Sequence, residues 1–299
     1  MRATLAQLEA FHWIARLGSF HAAARHLHVT QPTISARIVE LERLFGTPLF
    51  KRNRQGVELT ARGRGVIDQV ANMLRLSDDI AQPSGSGNTL RGLLRLGAVE
   101  SVGFLVMPKL LKRFVVNFPD LKVELTMDVG SELSRKLNVG ELDVAILTNP
   151  TCDETVTVEW VGKVAHAWVA GRQLRLPRRH IRPSDLQMLR IFTTPNPSTI
   201  AIAMANWFAS ADIEPEHVSR SNSLALISRL VAEGIGVAVL PPALLRPDID
   251  SGLIRVLTAV PAIPPGDMAL AYGGPPHRYR GLVSTIIEEL NESSLLRPF

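Results

Sequence analysis

The 299-residue sequence predicts an α+β chain of more than one domain: a small winged helix-turn-helix at the N-terminus, a long helix, and a larger α/β region. Three observations predict it. Over residues 19–45 two short helical patterns are separated by a tight turn. A basic, turn-rich hairpin pattern follows at once. From Leu93 onward the apolar spacing changes to alternating strand and helix. With 46% hydrophobic residues, the chain is long enough for two or three units, each burying its own core.

Thr4 with Gln7 three residues later has the spacing of a capping box, and Leu5, Leu8, Phe11 and Ile14 give the first helix an apolar stripe that stops near Gly18. Phe11 and Trp13 belong to this scaffold. Ser19 caps a second helix whose Phe20, Ala22, Ala23, Ala24 and Leu27 are small enough on one face for a close neighbour. His28 and Val29 make the turn. Thr30 caps the third helix, Gln31 and Pro32 fall in its first turn, Ile34, Ile38, Leu41 and Phe45 repeat at helical spacing, and Gly46 ends it. Packing those four inward turns Gln31, Pro32, Thr33, Ser35, Ala36 and Arg37 outward at the N-terminal end, the part a recognition helix places in the major groove.

Residues 49–51 and 57–59 pair as a hairpin, a wing carrying Lys51, Arg52 and Arg54 where phosphates can be neutralised. Thr60 caps a further helix to about residue 81, in which Val66, Val70, Met73 and Ile80 follow coiled-coil spacing and predict dimerisation. Residues 83–88, Pro-Ser-Gly-Ser-Gly-Asn, read as a flexible linker.

Charge supports a nucleic-acid partner. Residues 1–64 hold ten Lys or Arg against four Asp or Glu, while the remaining residues hold 23 against 24. The basic excess is confined to the segment expected to meet double-stranded DNA. A lone cysteine, Cys152, excludes an internal disulfide or a cysteine metal cage, and His12, His21, His26 and His28 have no Cys or acidic partner at ligand spacing. The start of the chain does not read as a signal peptide, and no apolar run approaches the ~18 residues of a membrane span, so the expected location is cytoplasmic with no membrane contact. Neither a Gly-x-Gly-x-x-Gly opening a helix, nor a phosphate loop ending in Gly-Lys-Ser/Thr, nor a nucleophile elbow is present. The expectation is therefore a protein that is not an enzyme and takes no cofactor.

In the C-terminal region residues 93–98 read as a strand, Val106, Leu110 and Phe114 stripe a helix, Val123, Leu125 and Met127 alternate in a second strand, a short helix precedes Gly140, and residues 142–147 form a third strand. This βαβαβ order predicts a mainly parallel sheet. Such units bind ligands beyond the carboxyl ends of their strands, at helix starts. Ser101 and Val102 follow the first strand, Ser131 follows the second, and Thr193, Thr194, Asn196, Ser198 and Thr199 cluster around two prolines before an apolar helix. These hydroxyls read either as a cleft that holds a small organic acid or as ordinary helix caps. Arg172, Arg175, Arg178, Arg179 and Arg182 form a basic cluster best read as solvated surface.

Gly18-Ser19-Phe20, Ala22-Ala23, Leu27, Thr30-Gln31-Pro32, Ser35, Leu41-Glu42, Leu44-Phe45-Gly46, Pro48-Leu49-Phe50, Arg52, Leu59-Thr60 and Gly63 together resemble the LysR-type transcriptional regulators. Asn117-Phe118-Pro119 and Gly140-Glu141-Leu142-Asp143 are similar to the effector-binding region of that family, as are Asn222-Ser223, the run over 230–236 and Leu240-Pro241-Pro242. The resemblance implies a winged helix-turn-helix over 1–60 and a linker helix with hinge over 61–90. Beyond them it implies two effector-binding subdomains, 91–162 with 267–299 and 163–266, folded like periplasmic solute-binding proteins. It also implies subunit pairing through the linker helix, a tetramer of two dimers, a small-molecule effector, contact with RNA polymerase, and ligand roles for Ser101, Ser131 and Thr194. Two alternatives stay open: a ligand carrier, which leaves the basic N-terminus without a role, and an architectural DNA-binding protein without an effector switch.

Overall fold

The computed structural model describes residues 2–53, 56–81, 90–177, 180–274 and 276–297. Arg54, Arg178, Arg179 and the linker expected at 83–88 lie outside them, as do the side chains of Arg52 and Ile80. The chain divides into two compact units near residue 86.

The first unit runs α1 (Leu5–Leu17), α2 (Phe20–His26), α3 (Gln31–Phe45), a hairpin of β1 (Phe50–Asn53) and β2 (Gly56–Leu59), and α4 (Ala61–Ala81). Thr4 and Gln7 form the reciprocal capping box, Ser19 caps α2 and Thr30 caps α3. Gly18 and Gly46 close α1 and α3 in the left-handed region, at φ 64 and 68. Phe11, Ile14, Ile34, Leu41 and Leu49 are fully buried and join the three helices to the wing. The hairpin pairs Phe50 with Leu59 and Lys51 with Glu58, one residue displaced from the expected strand starts. Thr60 caps α4 through the Gly63 N–H at 3.1 Å, and a Cβ on Gly63 would stand 2.3 Å from the Leu49 carbonyl oxygen, so this start of α4 lies against the base of the wing.

The stripe on α4 needs a correction. Val66 and Val70 are buried in the core of the first unit instead of forming an open pairing seam, while Met73 is exposed. Over two turns a coiled-coil spacing and an ordinary amphipathic spacing coincide, and α1 covers this part of α4.

The second unit holds two sheets. The chain enters through β3 (Gly92–Ala98), α5 (Glu100–Leu105), α6 (Met107–Asn117), β4 (Leu121–Met127), α7 (Gly130–Asn138), β5 (Val144–Thr148) and β6 (Val156–Val164). It then builds β7 (Ala167–Gly171), α8 (Pro183–Leu186), β8 (Arg190–Thr193), α9 (Thr199–Ala209), β9 (His217–Arg220), α10 (Leu224–Ala232), β10 (Val237–Leu240), α11 (Arg246–Asp250) and β11 (Ile254–Leu257). It returns through β12 (Gly266–Gly273), α12 (Pro276–Glu292) and β13 (Leu296–Arg297). One sheet has the order β13-β6-β12-β5-β3-β4 and the other β11-β7-β10-β8-β9. β4, β3 and β5 are parallel, as the βαβαβ pattern predicts, whereas β12 runs antiparallel to both β5 and β6. β6 stays in the six-stranded sheet as far as Val164, past Gly162.

Each sheet carries its own core. Leu96, Ile146, Leu270 and Ile286 are fully buried in the first half, and Trp168, Val169, Ile227 and Val237 in the second. Trp168, Trp207 and Phe208 pack ring against ring, with centroids 5.0 to 5.9 Å apart. The buried Asp143 accepts from the Arg95 N–H at 2.8 Å and from its guanidinium at 3.0 Å, tying β5 to β3. Leu125 and Met127, which alternate in the second strand as expected, are both exposed on β4, the edge strand of its sheet.

Candidate functional site

At the start of α3, Gln31, Pro32, Thr33 and Ala36 are exposed, and Ser35 and Arg37 are half-buried. Ile34, Ile38 and Leu41 occupy the opposite face, in the core, so the apolar spacing itself presents the polar face. Thr30 Oγ1 and Thr33 Oγ1 are 2.8 Å apart. The Arg37 guanidinium donates to the Ala6 carbonyl oxygen at 3.5 Å, which ties its head group to α1. On the wing Lys51 is exposed and pairs with Glu58 at 3.1 Å. The surface therefore offers short polar side chains at a helix start with a basic hairpin in the same unit, an arrangement suited to base edges and phosphates respectively.

In the second unit a cavity of about 420 Å³ opens where the starts of α5, α7, α9 and α10 converge. Of the residues expected there, Ser101, Thr194, Ser198 and Thr199 line it. Ser198 caps α9, accepting from the Ala201 N–H at 3.1 Å, and its Oγ lies 2.5 Å from Thr194 Oγ1. Thr199 Oγ1 donates to Thr148 Oγ1 at 3.0 Å across the two halves. Ser131 instead donates to the Pro197 carbonyl oxygen at 2.8 Å, a second cross-half bond. Val102 is buried in the six-stranded half's core, Asn196 is exposed, and Thr193 is buried with its Oγ1 lacking a hydrogen-bond partner among the described residues.

The cavity is also lined by residues that the sequence does not assign to a site: Glu100, Met127, Asp128, Thr148, His166 and Ser223. Asp128 accepts from the Val129 N–H at 2.9 Å and pairs with Lys136 at 3.3 Å. Burial holds His166 down to about 4, so its ring is neutral near pH 7, and its Nδ1 has no partner among the described residues. Neither Lys nor Arg lines the cavity among the described residues. An anion here would be met by hydroxyls, helix starts and the Asn222 amide instead of a cationic side chain. Glu100 and Ser223 stand within the stretches around Ser101 and Asn222 that the sequence singles out, but a carboxylate whose partners lie far along the chain leaves no local pattern.

The two units match two family descriptions. Residues 5–64 match the bacterial regulatory helix-turn-helix of the lysR family, and residues 87–292 match the LysR substrate binding domain. The chain belongs to the LysR family. An uncharacterized helix-turn-helix transcriptional regulator, YcgK from Bacillus subtilis, is 26% identical over 96% of this chain and 93% of its own length. Among solved structures, a full-length OxyR variant from Pseudomonas aeruginosa superposes with a TM-score of 0.76 at 24% identity, over 100% of this chain and 98% of that one. CbnR in complex with its target DNA superposes with a TM-score of 0.63 at 20% identity, over 96% and 99%. These structural likenesses are of fold. As a LysR-type transcriptional regulator the chain joins a DNA-binding helix-turn-helix to an effector-binding domain. No helix among its described residues is long and apolar enough to cross a membrane, and no three metal-ligating side chains cluster among them.

Proposed function

We propose that this LysR-type regulator reads a specific DNA sequence through Gln31, Thr33, Ser35 and their neighbours, steadies itself on phosphates through Lys51, Arg52 and Arg54, and is switched by a small organic acid bound in the cleft of the second unit. The observation that carries the reading is the hydroxyl pair of the buried Thr194 and the half-buried Ser198 at the start of an 11-residue helix, opening on a cavity of about 420 Å³. The ligand's carboxylate meets the hydroxyls of Thr194, Ser198 and Thr199 and the first amides of α9, and its body packs on the apolar lining, including Met127 and Ile200. Ser101 meets it from the opposite half. Two cross-half hydrogen bonds, Ser131 to Pro197 and Thr199 to Thr148, border this cleft, so a ligand that binds the two halves differently in two settings shifts their balance.

Subunits pair through the part of α4 beyond Val70, where Met73 is exposed, and dimers assemble into a tetramer in the cytoplasm that contacts RNA polymerase. A carrier or an architectural protein uses only one of the two units. Gel shifts with a specific and a random duplex, with and without small organic acids, test the whole reading. A regulator prefers the specific duplex by a factor of ~10³ or more, and the active acid changes that binding. Equal affinity for both duplexes, or indifference to every ligand that a thermal-shift screen finds, rejects it.

A further inference from the structure

Glu100 opens α5 in the six-stranded half, yet its carboxylate is held by the other half. Oε1 accepts from Ser223 Oγ at 3.2 Å and from the Ala225 N–H at 3.3 Å, and Oε2 accepts from the Leu224 N–H at 2.5 Å. Ser223 itself caps α10, accepting from the Leu226 N–H at 3.2 Å. A nine-residue helix thus turns its first amides and its positive end toward a carboxylate that the chain supplies from 123 to 125 positions away. Glu100 and Ser223 both line the cavity, so this contact occupies one wall of it.

We propose that Glu100 is the cleft's own resident anion: it fills the start of α10, leaves the start of α9 as the end that accepts a ligand carboxylate, and so selects effectors with a single anionic end. The proposal rests on the organic-acid reading above for the ligand and on the hydrogen bonds of Glu100 for the occupant. The rest of the lining agrees in sign. Asp128 contributes a second carboxylate, whose cation partner Lys136 is not in the lining, and His166 is neutral. A second ligand carboxylate reaching across the cleft finds like charge and a helix start already occupied.

Removing the resident anion should convert the α10 start into a vacant anion site that a free carboxylate can fill. In Glu100→Ala the Leu224 and Ala225 amides should exchange at least tenfold faster than in the wild type, and sodium acetate, compared with sodium chloride at equal ionic strength, should slow them again. The wild type should show no acetate-specific change there. Propionate and succinate, titrated into both proteins, read the selectivity: the wild type should favour propionate, and Glu100→Ala should gain at least tenfold in succinate affinity. Unchanged exchange at Leu224 and Ala225 in the variant, or faster exchange that acetate does not reverse, overturns the resident anion. Equal succinate affinity of the two proteins overturns the selectivity. Acetate rescue with no propionate or succinate binding to either protein leaves the resident anion standing and rejects the organic-acid effector. If Glu100→Ala does not fold, Glu100→Gln, which keeps an acceptor but loses the charge, should show the same succinate gain in smaller measure, and its absence overturns the proposal.

Discussion

Two hydroxyl pairs sit at two helix starts in this regulator, made by one local rule and placed in opposite surroundings. At α3 Thr30 and Thr33 are exposed, and Thr30 caps the helix through the Thr33 N–H at 3.4 Å. At α9 Ser198 caps through the Ala201 N–H, and its partner Thr194 is only 4% exposed. In the proposed DNA contact, the exposed pair exchanges water for a base edge or a phosphate at small cost, so its specificity would come from what the duplex presents. Thr194 has already given up most of its water, and Ser198 is half-buried beside it. In the proposed effector site, a ligand that does not match leaves polar groups unsatisfied, and that penalty would be the source of discrimination.

The largest way to break the comparison is to remove the apolar support beneath each helix. Leu41→Ala under α3 and Met204→Ala under α9 should each lose ~2 to 5 kcal/mol in denaturant unfolding, because both side chains are buried in their cores. DNA binding should fail in the first variant and ligand binding in the second. Next comes acid. The His166 pKa in the folded chain, about 4, lies below its ordinary 6.5, so the unfolded chain takes up the proton first as the pH falls. Stability therefore drops from about pH 6.5 toward 4 and then levels, by on the order of 3 kcal/mol. Chemical denaturation across that range should show the drop in the wild type and a smaller one in His166→Gln; parallel curves would mean that the His166 pKa is not lowered in the folded chain.

How much of this was legible beforehand differs between the two regions for a physical reason. Caps, a turn and an apolar stripe are relations among residues three or four apart, so α1, α2, α3 and the wing could be read from Thr4, Ser19, Thr30 and Gly46. The helix starts that converge on the cleft could be read the same way, and the structure brings Ser101, Thr194, Ser198 and Thr199 to one cavity. Long-range partners could not be read. Nothing near Glu100 announces Leu224, nothing near His166 announces its burial, and the stripe through Val66 and Val70 does not say whether another subunit or α1 will cover it.

Smaller effects sharpen the contrast. Thr194→Ala should remove a hydrogen bond to a charged ligand, worth ~1.5 to 3 kcal/mol and read by calorimetry as a tenfold or greater loss of effector affinity, with DNA binding unchanged. Thr33→Ala should cost ~1 to 3 kcal/mol at a single base pair, visible only when operators with single substitutions are compared. Lys51→Ala should be the smallest. Its pair with Glu58 is more than half exposed on both sides and is worth ~0 to 1 kcal/mol, so folding should barely change while the log-log salt dependence of DNA binding flattens by ~0.9.

The strands that leave and re-enter the six-stranded sheet, β6 and β12, are hydrogen-bonded antiparallel neighbours, with Val164 opposite Gly266. Topologically they are a hairpin whose loop, residues 165–265, has grown to about a hundred residues with a sheet of its own. The ends of that insert are pinned about 5 Å apart, the spacing of paired strands. Where the hydrogen bonds across the cleft let go, an insert held by its chain at two adjacent points can turn about the line of its attachment but cannot slide away, so of the six rigid-body freedoms of two independent bodies it keeps essentially a rotation. The same pinning makes it removable in principle, since a two-residue turn spans the gap that the whole insert now bridges.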